Sequence, residues 1–410
     1  MTEQTNTPEL RFPEFKDEWK LQKLGNLAQF SKGKSLSKKD LNINGNPCIL
    51  YGELYTKYGA ILNKVYSKTS TQNDSLVFSK RNQILIPSSG ETDIDIATAT
   101  AIDTDVKIAI GGDLNIITPI NSDGRFISLY INGKGKYNLA KYAQGKSVVH
   151  LYNSDIKKLN FYLPTNMAEQ KKIGDFFSKL DRQIELEEKK LELFEQQKRG
   201  YMQKIFTQKL RFKDKNGNAY TNWRTIELKN ILEKIVDNRG KTPDNSSSEK
   251  YPLLEVNALG YYHPSYKKVS KFVSESTYNN WFREHLKEND ILFSTVGNTG
   301  IVSLMDGYKA VIAQNIVGLR VNSNNLPAFV YYMLSYWENQ KKIKRIQMGA
   351  VQPSVKVSQF KFIKYLVPIK DEQEKIANLL SEIDKIIDIQ IEKIELLKQR
   401  KQGLLQKMFV

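Results

Sequence analysis

Ala168-Glu169-Gln170-Lys171-Lys172-Ile173 and Asp371-Glu372-Gln373-Glu374-Lys375-Ile376 are the same phrase written twice, 203 residues apart. Working outward, the echo continues in Leu180-Asp181 and Ile383-Asp384, then in Gly200 and Gly403. On the other side, Pro164 returns as Pro368, and Ile84-Leu85-Ile86 with Gly90 returns as Ile291-Leu292-Phe293 with Gly297. Lys32-Gly33-Lys34-Ser35 returns as Arg239-Gly240-Lys241-Thr242, Trp19 with Leu24 as Trp223 with Leu228, and Leu10-Arg11-Phe12 as Leu210-Arg211-Phe212. A solenoid repeats every ~20–50 residues, so a period near 200 means a duplicated domain. Each copy is a globular module followed by a helix. Short strands are expected at 83–87, 107–110 and 160–163, and again at 290–295, 310–312 and 364–367, mixed with helices in an α+β (α/β-type) fold.

The helices follow a proline and carry apolar residues every three or four positions, the signature of a heptad seam. One seam reads Ile173, Phe177, Leu180, Ile184, Glu187, Leu191, Phe194, Lys198, Tyr201 and Ile205. The other reads Ile376, Leu380, Ile383, Ile387, Gln390, Ile394, Leu397, Lys401, Leu404 and Met408, each 203 from its counterpart. Each helix should span roughly 50 Å at ~1.5 Å per residue. Parallel pairing in register sets Lys198 against Lys401. Antiparallel pairing with partner numbers summing to 588 sets Glu187 against Lys401 and Lys198 against Gln390. The expectation is therefore two long antiparallel coiled-coil helices between the modules. The expected divisions are 1–166 (with 1–9 a flexible tail), 167–207, 208–368 and 369–410.

The chain carries 62 Lys+Arg against 45 Asp+Glu, a net charge of +17. The surplus is local. Residues 1–166 hold 21 basic and 16 acidic side chains and residues 201–366 hold 25 and 13, whereas 167–200 and 367–410 hold 8 of each. Charge concentrated on the modules suits a polyanion, because neutralising phosphates releases counterions. A single cysteine, Cys48, excludes an internal disulfide framework. The start is not signal-like and no apolar run approaches ~18 residues, so a cytoplasmic protein without a membrane partner is expected.

At this point the chain resembles the specificity subunits of type I restriction–modification systems. The likeness rests on the Leu-Arg-Phe segments, on Gly240-Lys241-Thr242-Pro243, on the strand-turns at 84–90 and 291–297, and on the Glu-Gln helix openings after Leu163-Pro164 and Val367-Pro368. Gly33-Lys34-Ser35-Leu36 departs from the Gly-Lys-Thr-Pro pattern. The resemblance implies two target-recognition domains, each reading half of a split double-stranded DNA site, with the helices setting the gap. It also implies DNA adenine methyltransferase subunits as partners, two per chain, and a separate motor–nuclease subunit. The modules differ strongly in their centres, 51–75 against 254–279, which predicts unlike half-sites.

Candidate DNA contacts follow from residue type. Lys32, Lys34, Lys146, Arg239 and Lys241 suit phosphates, with Gly33 and Gly240 allowing a close backbone approach. Ser88, Ser89, Thr92, Ser294, Thr295 and Asn298 offer short hydrogen-bonding groups in turns, and Asn115, Asn257, Gln314 and Asn315 offer amides suited to adenine. Tyr51 offers a ring to wedge or pack. No catalytic centre, cofactor or metal is expected. Ala140 to Ser147 fits a loose phosphate-loop pattern but lacks the strand before and helix after it. Adenine-methyltransferase and nuclease motifs do not appear, and His150, His263, His285 and Cys48 lack metal-ligand spacing. The competing readings are a structural coiled-coil protein with incidental basic charge, and an atypical single-chain DNA methyltransferase or nuclease.

Overall fold

The computed structural model describes residues 6–34, 36–71, 76–238 and 240–410. The chain divides into two compact units, Met1–Lys189 with Glu392–Val410, and Lys190–Ile391. The division falls inside the helices rather than at their ends. Each unit therefore holds a module, the start of the helix that follows it, and the end of the other helix.

The first unit is built on an antiparallel sheet of β1 (Ala28–Lys32), β2 (Ile84–Pro87), β3 (Thr100–Ala101) and β4 (Leu114–Pro119), in the order β1-β4-β2-β3. The second repeats it with β5 (Leu232–Val236), β6 (Ile291–Ser294), β7 (Val302–Leu304) and β8 (Ile316–Val321), in the order β5-β8-β6-β7. Smaller pairings recur too. Lys20–Lys23 pairs antiparallel with Asn160–Leu163 as Arg224–Glu227 does with Lys364–Val367. Cys48 and Ile49 lie parallel to Ala109 and Ile110 as Leu253 and Leu254 lie parallel to Val311 and Ile312. The central strands β2 and β6 are apolar throughout except for Ser294, and every residue of both is buried. They are covered on both faces, which explains why they show no alternation.

Helix α1 (Met167–Phe206) and helix α2 (Lys370–Lys407) carry the two seams. Ile173, Phe177, Leu180 and Ile184 enter the core of the first unit, with Leu397 and Leu404 packed partly buried against it. Ile376, Leu380, Ile383 and Ile387 enter the core of the second, with Leu191 and Phe194 against it, and Ile394 is buried. Within each unit the helices run antiparallel. The register differs from the expected one: Asp181 pairs with Lys401 and Lys198 with Asp384, each at 2.5 Å, so partner numbers sum to 582 rather than 588. Glu187 meets Lys393 instead of Lys401. The slip is nearly one heptad. The expected register drew partners from the seam itself, Glu187 for Lys401 and Gln390 for Lys198, whereas the aspartates that pair with these lysines sit beside the seam, one residue after Leu180 and Ile383.

The helix ends finish the cores. Phe409, just past α2, packs on Trp19, Phe126 and Phe177 with ring centroids 5.0–6.4 Å apart. Phe206, 203 residues earlier, packs on Trp223, Phe329 and Tyr336 in the second unit at 4.9–6.1 Å.

Candidate nucleic-acid interface

The repeated motifs first explain how each module is fixed to its helix. Glu169 is buried in the first turn of α1 and accepts from Arg11 Nε and Nη2 at 2.7 and 2.8 Å and from Trp19 Nε1 at 3.2 Å. Glu372 in α2 accepts from Arg211 Nε and Nη2 at 2.7 and 2.9 Å and from Trp223 Nε1 at 3.1 Å. A buried carboxylate needs such partners, and a planar guanidinium supplies two at once. The neighbouring glutamines act alike. Gln170 Oε1 accepts from Asp123 N while its Nε2 donates to Pro164 O, and Gln373 joins Leu326 N to Pro368 O. The Arg, Trp, Glu and Gln of the repeat thus form a polar clamp, and their recurrence is structural.

The candidate DNA contacts gather elsewhere, at one end of each sheet. In the first module β1 and β2 end where β4 begins, since both run antiparallel to it. The loops there are tied by backbone bonds: Gly33 N to Leu114 O at 2.9 Å, Ser88 N to Asp113 O at 2.9 Å, and Leu151 N to Ser88 O at 3.1 Å. The second module repeats the last two as Thr295 N to Asn315 O and Val355 N to Thr295 O, both 2.8 Å. Asn238, buried behind the opening loop, donates to Lys241 O at 3.0 Å and Ile312 O at 3.3 Å and accepts from Gly240 N at 3.1 Å.

Lys32 and Lys34 are exposed on the first module, with Lys32 5.7 Å from the Tyr152 ring. Lys146 stands on an exposed hairpin closed by Gln144 and His150, and Lys241 is exposed on the second module. Arg239 and Ser35 lie outside the described residues. Thr92 is exposed but caps a short helix, accepting from Asp95 N at 3.1 Å, and Ser89 faces His150 at 3.3 Å. Asn298 and Gln314 are exposed, and Asn315 is half-buried. Asn257 is exposed and donates to Lys268 O at 3.2 Å. Tyr51 is half-buried against the core that holds Ile49 and Leu54.

Four of the candidates are buried. Asn115 is fully buried and its Nδ2 donates to Leu151 O at 2.8 Å, so its amide fixes the hairpin and is not free for adenine. Ser294 is fully buried, donating to Asn298 O at 2.7 Å and accepting from Ile301 N at 2.8 Å. Ser88 and Thr295 are also buried, and their backbones carry the loop ties just described. At Gly33 a Cβ would lie 2.0 Å from Gly111 O, so the missing side chain admits a neighbouring loop. Gly240 has φ +71° and open space around it. The segment after Lys136–Ala140 leads from helix into strand at Val149, the reverse of a phosphate loop. Two acidic residues, outside the basic and amide candidates, also stand at this sheet end. Glu91 and Asp113 border one cleft of about 730 Å³ with Tyr51 and Tyr55.

The model of the type I restriction modification DNA specificity domain matches twice, over residues 16–196 and 220–399. The chain belongs to this family. The specificity chain is similar to the MjaVIII specificity subunit of a type I restriction enzyme from Methanocaldococcus jannaschii, 23% identical over 420 residues, 97% of this chain and 92% of that protein. A protein of the same organism assigned as the MjaX specificity subunit is 28% identical over 200 residues, about one repeat, and the match spans only 47% of either chain. In fold it is similar to the S subunit of a type I restriction-modification system from M. genitalium, with TM-score 0.61 and 17% identity over 98% of this chain and 99% of that one. Its role is DNA sequence specificity, carried by two domains. Among the described residues no helix is long and apolar enough to cross a membrane, and no group of three or more His, Cys, Asp and Glu could hold a metal.

Proposed function

We propose that each module reads one half of an asymmetric bipartite site in double-stranded DNA, and that the chain directs adenine methylation and restriction carried out by partner subunits without catalysing either. The observation that carries this reading is the duplicated sheet end. The same backbone ties hold the same loops in both modules, yet the side chains those loops offer differ. A shared scaffold with unlike reading groups suits two unlike half-sites. Lys32, Lys34, Lys146 and Lys241 supply phosphate contacts that position each module, and neighbouring loop residues face base edges.

The helices support a partner role. Leu186 and Leu193 on α1 and Ile389 and Leu396 on α2 are 50–66% exposed, and each pair is seven residues apart on one face. The two pairs are separated by 203, so a partner that covers one helix finds the same apolar spacing on the other. Two copies of a methyltransferase subunit fit that duplication.

Mapping methylated adenines in the source genome with and without the gene tests the reading. A two-part motif that vanishes with the gene is expected, and replacing residues 1–166 by another module should change one half only. A change in both halves refutes independent reading. Binding of the full chain to duplex DNA should weaken steeply with salt, and Lys34→Ala should reduce the slope by about one.

A further inference from the structure

The backbone ties at the two sheet ends set the modules in register residue by residue. Ser88 N bonds Asp113 O where Thr295 N bonds Asn315 O, so Asp113 and Asn315 are equivalent. Ser88 O takes Leu151 N where Thr295 O takes Val355 N, so Gly90 falls on Gly297 and Glu91 on Asn298. At both positions the first module has a carboxylate and the second an amide. We infer that Glu91 and Asp113 are specificity-determining residues of the first module, which accept hydrogen bonds from a base edge carrying an exocyclic amine, cytosine N4 above all. The inference deepens the two-module reading and rests on it.

Three observations carry it. Both carboxylates are exposed, and both border the cleft that Tyr51 and Tyr55 line, so they stand on one face of the module. Neither has a hydrogen-bond or ion-pair partner among the described side chains. Nearby acids are occupied: Asp95 Oδ2 accepts from Thr92 Oγ1 at 2.7 Å, and Asp93 Oδ1 from Ile94 N at 2.9 Å. Finally, free carboxylates are repelled by phosphate, so a role on a DNA-facing surface must lie with a donor. An ionised carboxylate only accepts. In the major groove cytosine offers N4–H₂ with no acceptor directly in front of a carboxylate, whereas adenine sets N7 beside N6, which suits an amide with a donor and an acceptor. The replacement of acid by amide between the modules therefore changes the base that fits.

The test uses the full chain and randomised duplexes, sequencing the DNA retained by wild type, Glu91→Gln and Asp113→Asn. Both substitutions are near-isosteric on exposed side chains, and an unchanged thermal transition verifies folding. The expected result is a loss of discrimination of roughly tenfold or more at a position of one half-site. For Asp113→Asn the preference should move toward adenine, with the other half-site unchanged. Uniform tightening on all DNA with both half-sites preserved overturns the inference, because the carboxylates would then act only as charge. So does a change spread over both half-sites. A wild-type chain with no bipartite preference overturns the two-module reading itself, and this inference with it.

Discussion

Glu372→Ala should cost the second unit about 3–5 kcal/mol, the range for deleting one partner of a buried ion pair. The structure gives the reasons for that size. The Glu372 side chain is 0% exposed and accepts three hydrogen bonds, two from a guanidinium and one from an indole. Removing it orphans the Trp223 N–H, a loss of order 1–3 kcal/mol by itself, and leaves the Arg211 charge without its carboxylate. The two effects share one acceptor and do not add. Arg211 remains 23% exposed and keeps its bonds to Tyr220 O and Thr221 O, which favours the lower end of the range. Urea unfolding with hydrogen exchange read over residues 210–227 measures the change. Glu372→Gln keeps one acceptor and should lose less. The apolar double variant Arg211→Met with Glu372→Leu should also be milder than Glu372→Ala, since no charge is stranded. A loss below about 0.5 kcal/mol for Glu372→Ala, or a double-mutant cycle with Arg211→Ala that shows no coupling, refutes the clamp.

Phe409→Ala empties a site that is 1% exposed and should destabilise the first unit by about 3–5 kcal/mol; Phe206→Ala should do the same to the second, each seen as lost exchange protection in its own module. Gly33→Ala should prevent the native loop packing, as its Cβ meets Gly111 O at 2.0 Å, whereas Gly240→Ala should cost only about 1 kcal/mol from its positive φ; thermal melts of the two variants compare them. Lys198→Ala leaves the Asp384 carboxylate, 10% exposed, with the Tyr332 hydroxyl at 2.6 Å as its hydrogen-bond partner among the described residues and should cost about 2 kcal/mol. The exposed Lys398–Glu188 pair should be worth about 0–1 kcal/mol on removal of Lys398, and equal losses in urea unfolding would contradict the difference in burial. Glu284, bonded to Lys234 and then Arg320, is held at about 2, below its ordinary 4.5. Its stabilisation is complete above pH 4.5 and is lost as pH falls toward 2, so the urea midpoint of the second unit should drop across that window and Glu284→Gln should flatten the drop.

The repeat and the helices were legible because their causes are local. A heptad seam is a property of spacing, and a duplicated phrase is visible wherever it folds. Even Glu169 and Glu372 stood out, although what they bond was hidden: Arg11 lies 158 residues from Glu169 and Arg211 161 from Glu372. Asn115 and Ser294 illustrate the opposite case. Both are polar residues near turns, and nothing in the sequence distinguishes an amide aimed at solvent from one aimed at Leu151 O inside the module. Glu91 and Asp113 were passed over in favour of basic and amide groups; the repeat of Ile84–Gly90 at Ile291–Gly297 already sets Glu91 against Asn298, whereas Asp113 falls on Asn315 only once strand pairing fixes which residues share a position.

The sequence by itself determined that there are two modules, two long helices and a basic surplus confined to the modules. Tertiary structure alone decided the helix register, because shifting a heptad seam by one repeat restores its apolar pattern. The register that forms is the one in which Asp181 and Asp384, just outside the seam, reach Lys401 and Lys198, and Asp384 also takes the Tyr332 hydroxyl from the module. Periodicity offers several nearly equal alignments, and long-range polar contacts that no period encodes select one of them.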